Sequence, residues 1–299
     1  QGNFFIESKI IKGLTLRNEL GLDMVSQTED RFWSSRTLAG AGVGGSARAQ
    51  WLRNTRWITN NYLNYVNTFK EAHKIEAVAG VSFENRFDEY VYVEGENFAD
   101  ESIKTLSGAG TITAGESTQD ENNLFSYFGR VNYAYKGKYL ASASIRADAD
   151  SRFGTNYKYG YFPSFSLGWI LTEENFLNDV KWLSFLKLRG SYGVLGNNTG
   201  LGFYQSRSQY GPVTYGTSSG LTITNFGNDD LRWEKTASFD IGLDFGFFNN
   251  RLSGELNWYN KKTTDMLLAV PVPSPSGTTS VLGNIGEMEN KGVEIVLNS

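Results

Sequence analysis

The sequence predicts an all-β chain that forms the wall of an antiparallel transmembrane β-barrel, and three observations predict it. The first is the segment Leu124 to Asp148. Phe125, Tyr127, Val131, Tyr133 and Tyr135 share one face of an extended chain, while Ser126, Arg130 and Asn132 share the other. After Lys136-Gly137-Lys138 the pattern repeats, with Tyr139, Ala141, Ala143, Ile145 and Ala147 set against Ser142, Ser144, Arg146 and Asp148. Tyrosines crowd the turn end of both arms, where a barrel places amphipathic rings at the headgroups. The second observation is that no stretch approaches the roughly 18 to 20 consecutive apolar residues of a membrane helix, so a membrane-spanning form of this chain must be a closed barrel. The third is that connections alternate between short and long, as periplasmic turns and external loops do in outer-membrane barrels.

Taken in order, alternation gives about eleven strands over the whole chain, 1–299. Ile11-Lys12-Gly13 joins the opening strand to one whose Leu14, Leu16, Leu20, Leu22 and Met24 share a face. A turn over Lys70 to His73 leads into Ile75, Ala77, Ala79, Val81 and Phe83, again on one side. Lys136-Gly137-Lys138 is the third short turn, and Phe248-Asn-Asn-Arg251 follows a strand over Phe239 to Phe247. Thr172 to Trp182 falls in the place of a short turn and reads as a helical one. The long connections are Gln27 to Ala47, Gly95 to Glu121, Ser151 to Tyr159, Gly196 to Asp230, and Ala269 to Glu289 with its run Pro271 to Pro275. Several strands exceed the roughly 9 to 11 residues of a tilted crossing and are expected to project beyond the bilayer.

Composition excludes several functions. The chain has 299 residues, 28 basic and 32 acidic side chains and a net charge of -4, without the basic stripe of a nucleic-acid binder, so no nucleic-acid partner is expected. Cysteine is absent, which removes disulfides, thiolate catalysis and cysteine-held metals. His73 is the single histidine and reads as a solvated turn residue, which leaves a Ser-His-Asp triad and a histidine-rich zinc site poorly supported. No catalytic residue, metal site or cofactor is therefore assigned. Gly40-Ala-Gly-Val-Gly-Gly45 matches a dinucleotide fingerprint by letter, but it is followed by strand-like sequence and reads as an external loop. Glu173-Glu174, Asp229-Asp230 and the series Asp148, Asp150 read as solvated loop or turn carboxylates, with a loop calcium site at the last as the minor alternative.

With short turns taken as periplasmic, Arg130, Arg146, Asp240 and Asp244 face the lumen, together with Arg17, Glu19, Asp23, Glu76, Glu84, Lys187, Arg189, Glu234 and Glu255. Charge of both signs lines the interior, which argues against a strongly ion-selective pore. Tyr127, Val131, Tyr133, Ala141, Ala143, Ile145, Phe239, Ile241, Leu243 and Phe245 are expected to face lipid. Tyr204, Tyr210 and Tyr215 lie in the longest connection, where they pack the loop or stack on sugar rings or peptide side chains.

At this level of detail the sequence resembles the SusC/RagA-type TonB-dependent outer-membrane transporters. The resemblance is carried by Lys12-Gly-Leu-Thr-Leu16, the hairpin from Leu124 to Tyr139, Arg146-Ala-Asp148, Ser151-Arg-Phe-Gly154 and Tyr161 to Trp169. It continues through Phe176 to Ser184, Leu186 to Gly193, Leu231 to Thr236, Tyr259 to Leu268 and Asn284 to Glu294, in family order over nearly the whole chain. The resemblance implies a Gram-negative outer-membrane location and about half of a 22-stranded barrel, with the plug domain absent from this chain. It also implies TonB-dependent import of large nutrients such as oligosaccharides or peptides, with a SusD-like surface lipoprotein as partner. The TonB complex would act through a segment missing here. The alternatives are a passive porin, an outer-membrane barrel enzyme and a soluble adhesin sandwich. The odd strand count and the absence of a return strand after Ser299 lead to the expectation that the chain is not a complete folding unit.

Overall fold

The structure, a computed structural model, describes residues 1–273 and 277–299. The described strands are β1 (Gly2–Ile11), β2 (Leu14–Trp33), β3 (Ser46–Phe69), β4 (His73–Phe98), β5 (Ala109–Tyr135), β6 (Tyr139–Asp150) and β7 (Tyr159–Ile170). They continue with β8 (Leu183–Asn197), β9 (Gln209–Tyr215), β10 (Ser218–Asn225), β11 (Glu234–Phe247), β12 (Leu252–Pro271) and β13 (Ser280–Asn298). Eleven of them form one sheet in the order β1-β2-β3-β4-β5-β6-β7-β8-β11-β12-β13, and β9 pairs with β10 in a separate hairpin. No described helix is long and apolar enough to cross a membrane, which says nothing of crossing by strands. Sheet order follows chain order because each short turn can join only neighbours. Gly13 at φ 82, and Lys136 and Gly137 at φ 52 and 70, supply the left-handed backbone such turns need.

Strand ends lie further out than alternation alone indicates. The connection expected over Gln27 to Ala47 shrinks to residues 34–45, and that over Gly95 to Glu121 to residues 99–108. The added strand sequence, such as Ser26-Gln-Thr-Glu-Asp-Arg31, is polar on both faces, so no period-two signal marks it. The helical turn expected over Thr172 to Trp182 is two single 3-10 turns, Leu171–Glu173, which starts one residue earlier, and Asn175–Leu177. The proline run continues through Ser274 and Pro275, which lie outside the described residues.

The chain divides into two compact units. The first comprises residues 1–4, 19–59 and 84–123. Its strand segments carry ion pairs on both faces. Arg48 Nη1 lies 3.1 Å from Glu94 Oε1 and its guanidinium covers the Tyr92 ring at 4.4 Å. Arg56 meets Glu84 in a two-pronged pair at 2.7 Å on each side, while Arg53 pairs with Glu89. Positions 48 and 53 differ by an odd number and so point to opposite sides. Phe32 and Phe98 close the loop end edge to face at 5.1 Å. The Gly40–Gly45 segment is a 3-10 turn over Ala41–Val43, followed by Gly44 and Gly45 at φ 66 and 88. It is tied back by Gly45 N–H to the Gly40 carbonyl at 3.0 Å, an ordered loop and not a phosphate-binding helix start.

The second unit comprises residues 5–18, 60–83 and 124–299. Here one face is a continuous apolar row, and the other is polar apart from residues such as Phe128 and Leu140. Directly paired residues share a face, and the register aligns Val131 with Ala143, Ala143 with Phe165, Phe165 with Tyr192, Tyr192 with Phe239 and Ile241 with Trp258. Tyr127, Val131, Ile145, Phe239 and Ile241 on this face are between 43% and 55% exposed, so among the described residues no second sheet packs over them. A sandwich core would have buried them. His73 corrects the turn reading: it opens β4, and its Nδ1 lies 2.7 Å from the Tyr133 hydroxyl. Tyr135 adds a ring contact at 4.8 Å.

Candidate functional site

The opposite face of the second unit is polar. Its rows align Arg130 with Ser144, Ser144 with Ser164 and Ser164 with Gly193. Further rows align Ser166 with Ser191, Ser191 with Asp240, and Lys187 with Asp244. Arg130, Arg146, Asp240 and Asp244 therefore occupy one face of one sheet, because each lies an even number of positions from a residue in this register. The charges are largely paired. Arg146 donates from Nε to Asp148 Oδ1 at 2.7 Å and from Nη2 to Ser126 Oγ at 2.8 Å. Arg189 donates from Nε to Asp244 Oδ1 at 2.9 Å and also reaches Glu255 Oε2 at 3.3 Å and Asn257. Arg130 donates to Asn132 Oδ1 at 3.0 Å, and Ser238 donates to Asp240 Oδ2 at 2.7 Å. Between the arginines lies a strip of small hydroxyls, including Ser142, Ser144, Ser164, Ser166 and Ser191, with Ser144 and Ser164 in contact at 2.7 Å.

At the loop end the sheet closes over a small core. Phe153, Phe162, Leu201, Leu231 and Trp233 are buried together. The Trp233 ring lies 4.7 Å from Phe153 and 5.4 Å from Phe162, edge to face with the latter. Gly160 and Gly196 both stand so close to the Phe162 ring that neither site has room for a Cβ. Asp150 is the buried carboxylate at this end. It accepts from Arg152 Nη2 at 2.6 Å, from Arg152 Nε at 3.0 Å, from the Arg152 backbone N–H at 2.9 Å and from Asn198 Nδ2 at 2.9 Å. Arg152 Nη1 continues to the Leu201 carbonyl at 3.0 Å.

These bonds correct the reading of Asp148 and Asp150 as solvated loop carboxylates. Both sit at the end of β6, two residues apart on one face, and each is held by an arginine. The lone pairs of Asp150 that a cation would need are taken by N–H donors. Asp229 and Asp230 clasp the loop by accepting from Thr155 and Asn156 at 2.7 and 2.9 Å. Glu174 caps the turn end, accepting from Tyr139 at 2.6 Å and Trp169 at 3.2 Å; these bonds and nearby Lys138 lower its pKa. Arg232 pairs with Asp265 at 2.7 Å, and that hydrogen bond raises its pKa further.

The three tyrosines are not brought together. Tyr204 is partly buried at φ 54 beside Phe203, with Arg207 over its ring at 5.9 Å. Tyr210 and Tyr215 lie on β9 and are 62% and 87% exposed. Sequence reasoning missed Arg152, Asn198, Trp233 and the Arg232 to Asp265 pair. The segments Ser151-Arg-Phe-Gly154 and Leu231-Arg-Trp-Glu234 carried the family resemblance, yet alternation gives a residue past a strand end no partner.

The family pattern described as TonB dependent receptor-like, beta-barrel matches residues 12–299. The chain is 35% identical over 305 aligned residues to TonB-dependent receptor P3 of Formosa agariphila, covering 100% of this chain and 30% of that protein. It is 40% identical over 186 residues to TonB-dependent receptor SusC of Bacteroides thetaiotaomicron, covering 60% of this chain and 18% of that one. Among solved structures, the RagAB peptide transporter superposes with a TM-score of 0.90 at 31% identity, over 99% of this chain and 33% of its counterpart. The chain thus spans about a third of the length of the relatives it matches over its whole extent.

Proposed function

The chain belongs to the TonB-dependent receptor-like β-barrel family of outer-membrane proteins, and from that premise we propose that it forms part of the wall of an importer for large nutrients, oligosaccharides or peptides. Import is TonB-dependent and the partner is a SusD-like surface lipoprotein. The observation that carries this reading is the separation of faces in the second unit, an exposed apolar face backed by a hydrogen-bonded polar one. An apolar face exposed without a covering sheet is stable against lipid, and a polar face of mixed charge suits a wet lumen. Arg130, Arg146, Asp240 and Asp244 line that lumen. Within the first unit, the strand stretches that carry ion pairs on both faces suit contact with water. Tyr210 and Tyr215 meet cargo or partner at the loop end, and Tyr204 serves the mount from which they project.

The test uses the full-length protein in native outer membranes. Affinity purification is expected to recover a surface lipoprotein with the barrel, and deletion of the gene to abolish uptake of one class of oligomer. Uptake that persists after removal of TonB would make the protein a passive pore. Reproducible recovery of the barrel alone would remove the lipoprotein from the proposal.

A further inference from the structure

The hairpin β9–β10 pairs only with itself among the described residues. Its loop is Gly216-Thr217, closed by Tyr215 opposite Ser218, with Gly216 at φ 60. The closing pair of a two-residue hairpin exchanges both ladder bonds, and pairs then alternate. Pro212 opposite Leu221 is therefore a pair whose backbone groups point away from each other. Proline is tolerated there because it has no N–H to withhold from the ladder. The outer edge of β9 is thus blunted at Pro212. The outer edge of β10 offers the N–H and C=O of Ser219 and Leu221.

Edges of this kind are normally protected by charge, proline, a bulge or a covering segment. Residues 209–225 contain no Asp, Glu, Lys or Arg. The register shift between Ile223 and Asn225 sits at the base, where Gly277 also comes near the Ile223 carbonyl, while residues 218–222 are exposed and have no second pairing strand among the described residues. The base itself is firmly mounted. Asn225 Nδ2 donates to the carbonyls of Gln205 and Arg207 at 3.0 and 2.9 Å, and Gln209 donates to that of Phe203 at 3.2 Å. An unprotected strand edge on a fixed mount is a template for another extended chain.

We propose that the β10 edge, centred on Ser219 and Leu221, captures peptide cargo by adding it as a third strand. The proposal rests on the reading of the protein as an importer and selects peptides within it. Only a polypeptide backbone carries donors and acceptors that repeat along an extended chain in step with a β-edge, whereas an oligosaccharide does not. The hairpin is neutral and gives no charge complementarity for one particular folded partner. Recognition through the main chain tolerates varied side chains.

The test is binding of a fluorescein-labelled neutral octapeptide of Ser, Thr, Val and Gln to the purified full-length protein. Two further versions of the peptide are N-methylated at alternate residues along one edge, or along both edges. Methylation of one edge is expected to leave affinity within about twofold, because the other edge still pairs, while methylation of both costs about tenfold or more. Leu221→Pro is expected to weaken the parent peptide about tenfold, and Leu221→Ala to leave it nearly unchanged. Equal binding of the doubly methylated peptide, or equal loss in L221A and L221P, would overturn strand addition while leaving peptide import standing. Absence of binding by the parent peptide in a protein that still imports an oligosaccharide would remove the peptide reading as well. Protection of the β10 amides from hydrogen exchange by the lipoprotein, and not by peptide, would assign the edge to the partner and overturn the proposal.

Discussion

Arg152 grips the Asp150 carboxylate from two residues further along the chain, with Nη2 2.6 Å from Oδ2 and Nε 3.0 Å from Oδ1, and the aspartate side chain is wholly shielded from solvent. The same guanidinium reaches the Leu201 carbonyl, so one residue ties the end of β6 to the start of the connection that carries the hairpin.

Breaking one half of this pair leaves a buried charge without its partner. Arg152→Ala is expected to cost about 3–5 kcal/mol, expressed locally as release of residues 198–233. Limited proteolysis of the membrane-embedded protein checks this: cleavage within that connection should appear in Arg152→Ala while the strands remain resistant.

The apolar and polar faces differ in what they tolerate. Ile145→Arg places a charge on the exposed apolar face and is expected to destabilise by about 2–4 kcal/mol near the bilayer midplane. Ser144→Arg, on the adjacent position and the opposite face, is expected to assemble normally. The measurement is the fraction of heat-modifiable, folded protein in outer membranes, and equal assembly of the two variants would contradict the assignment of faces.

Phe162 fills the space that side chains at Gly160 and Gly196 would need. Gly196→Ala is expected to destabilise by about 1–3 kcal/mol through overpacking. Adding Phe162→Leu should recover part of that loss, so a double-mutant cycle in urea titration should show a coupling that distant sites lack.

Glu101 accepts from the Ser34 hydroxyl and the Ser35 backbone N–H, and these bonds lower its pKa to about 2. A depressed carboxylate stabilises the folded loop fully above its unfolded pKa and loses that contribution as pH falls toward 2. Protection of the amides at 34–37 and 99–105 should therefore persist at pH 4. It should fade progressively below that and be lost as pH falls through the folded pKa, and Glu101→Gln should lose it at neutral pH. Hydrogen exchange corrected for intrinsic rates measures each case.

The sequence revealed the second unit because its strands have one apolar side. From Phe125 to Ala147 every second residue reports its face, and the register agrees pair by pair. The first unit hid its strand ends for the opposite reason. Glu29, Arg31, Arg53 and Glu89 lie in strand stretches that carry charged side chains on both faces, where ion pairs interrupt any apolar stripe. The loop-end cluster was illegible in a third way. Arg152, Asn198 and Trp233 meet Asp150, Leu201 and Phe162 across separations that no local period encodes.

The strand order of the main sheet has a consequence for how the chain is assembled. Each strand from β1 to β8 pairs with its predecessor, as do those from β11 to β13, and only the β8 to β11 pairing skips ahead. Contacts that follow the chain keep contact order low for so many strands, so the sheet can grow by one hairpin at a time. The one interruption is the span from residue 198 to residue 233. Closing a loop of that length costs only slightly more than closing a short one, since the entropy rises with the logarithm of length. The Gly154 N–H bond to the Leu231 carbonyl at 2.9 Å, made beside the buried Asp150, brings the far end of that span back beside β6 and β7. β11 can then begin its pairing with β8 from an end already in place.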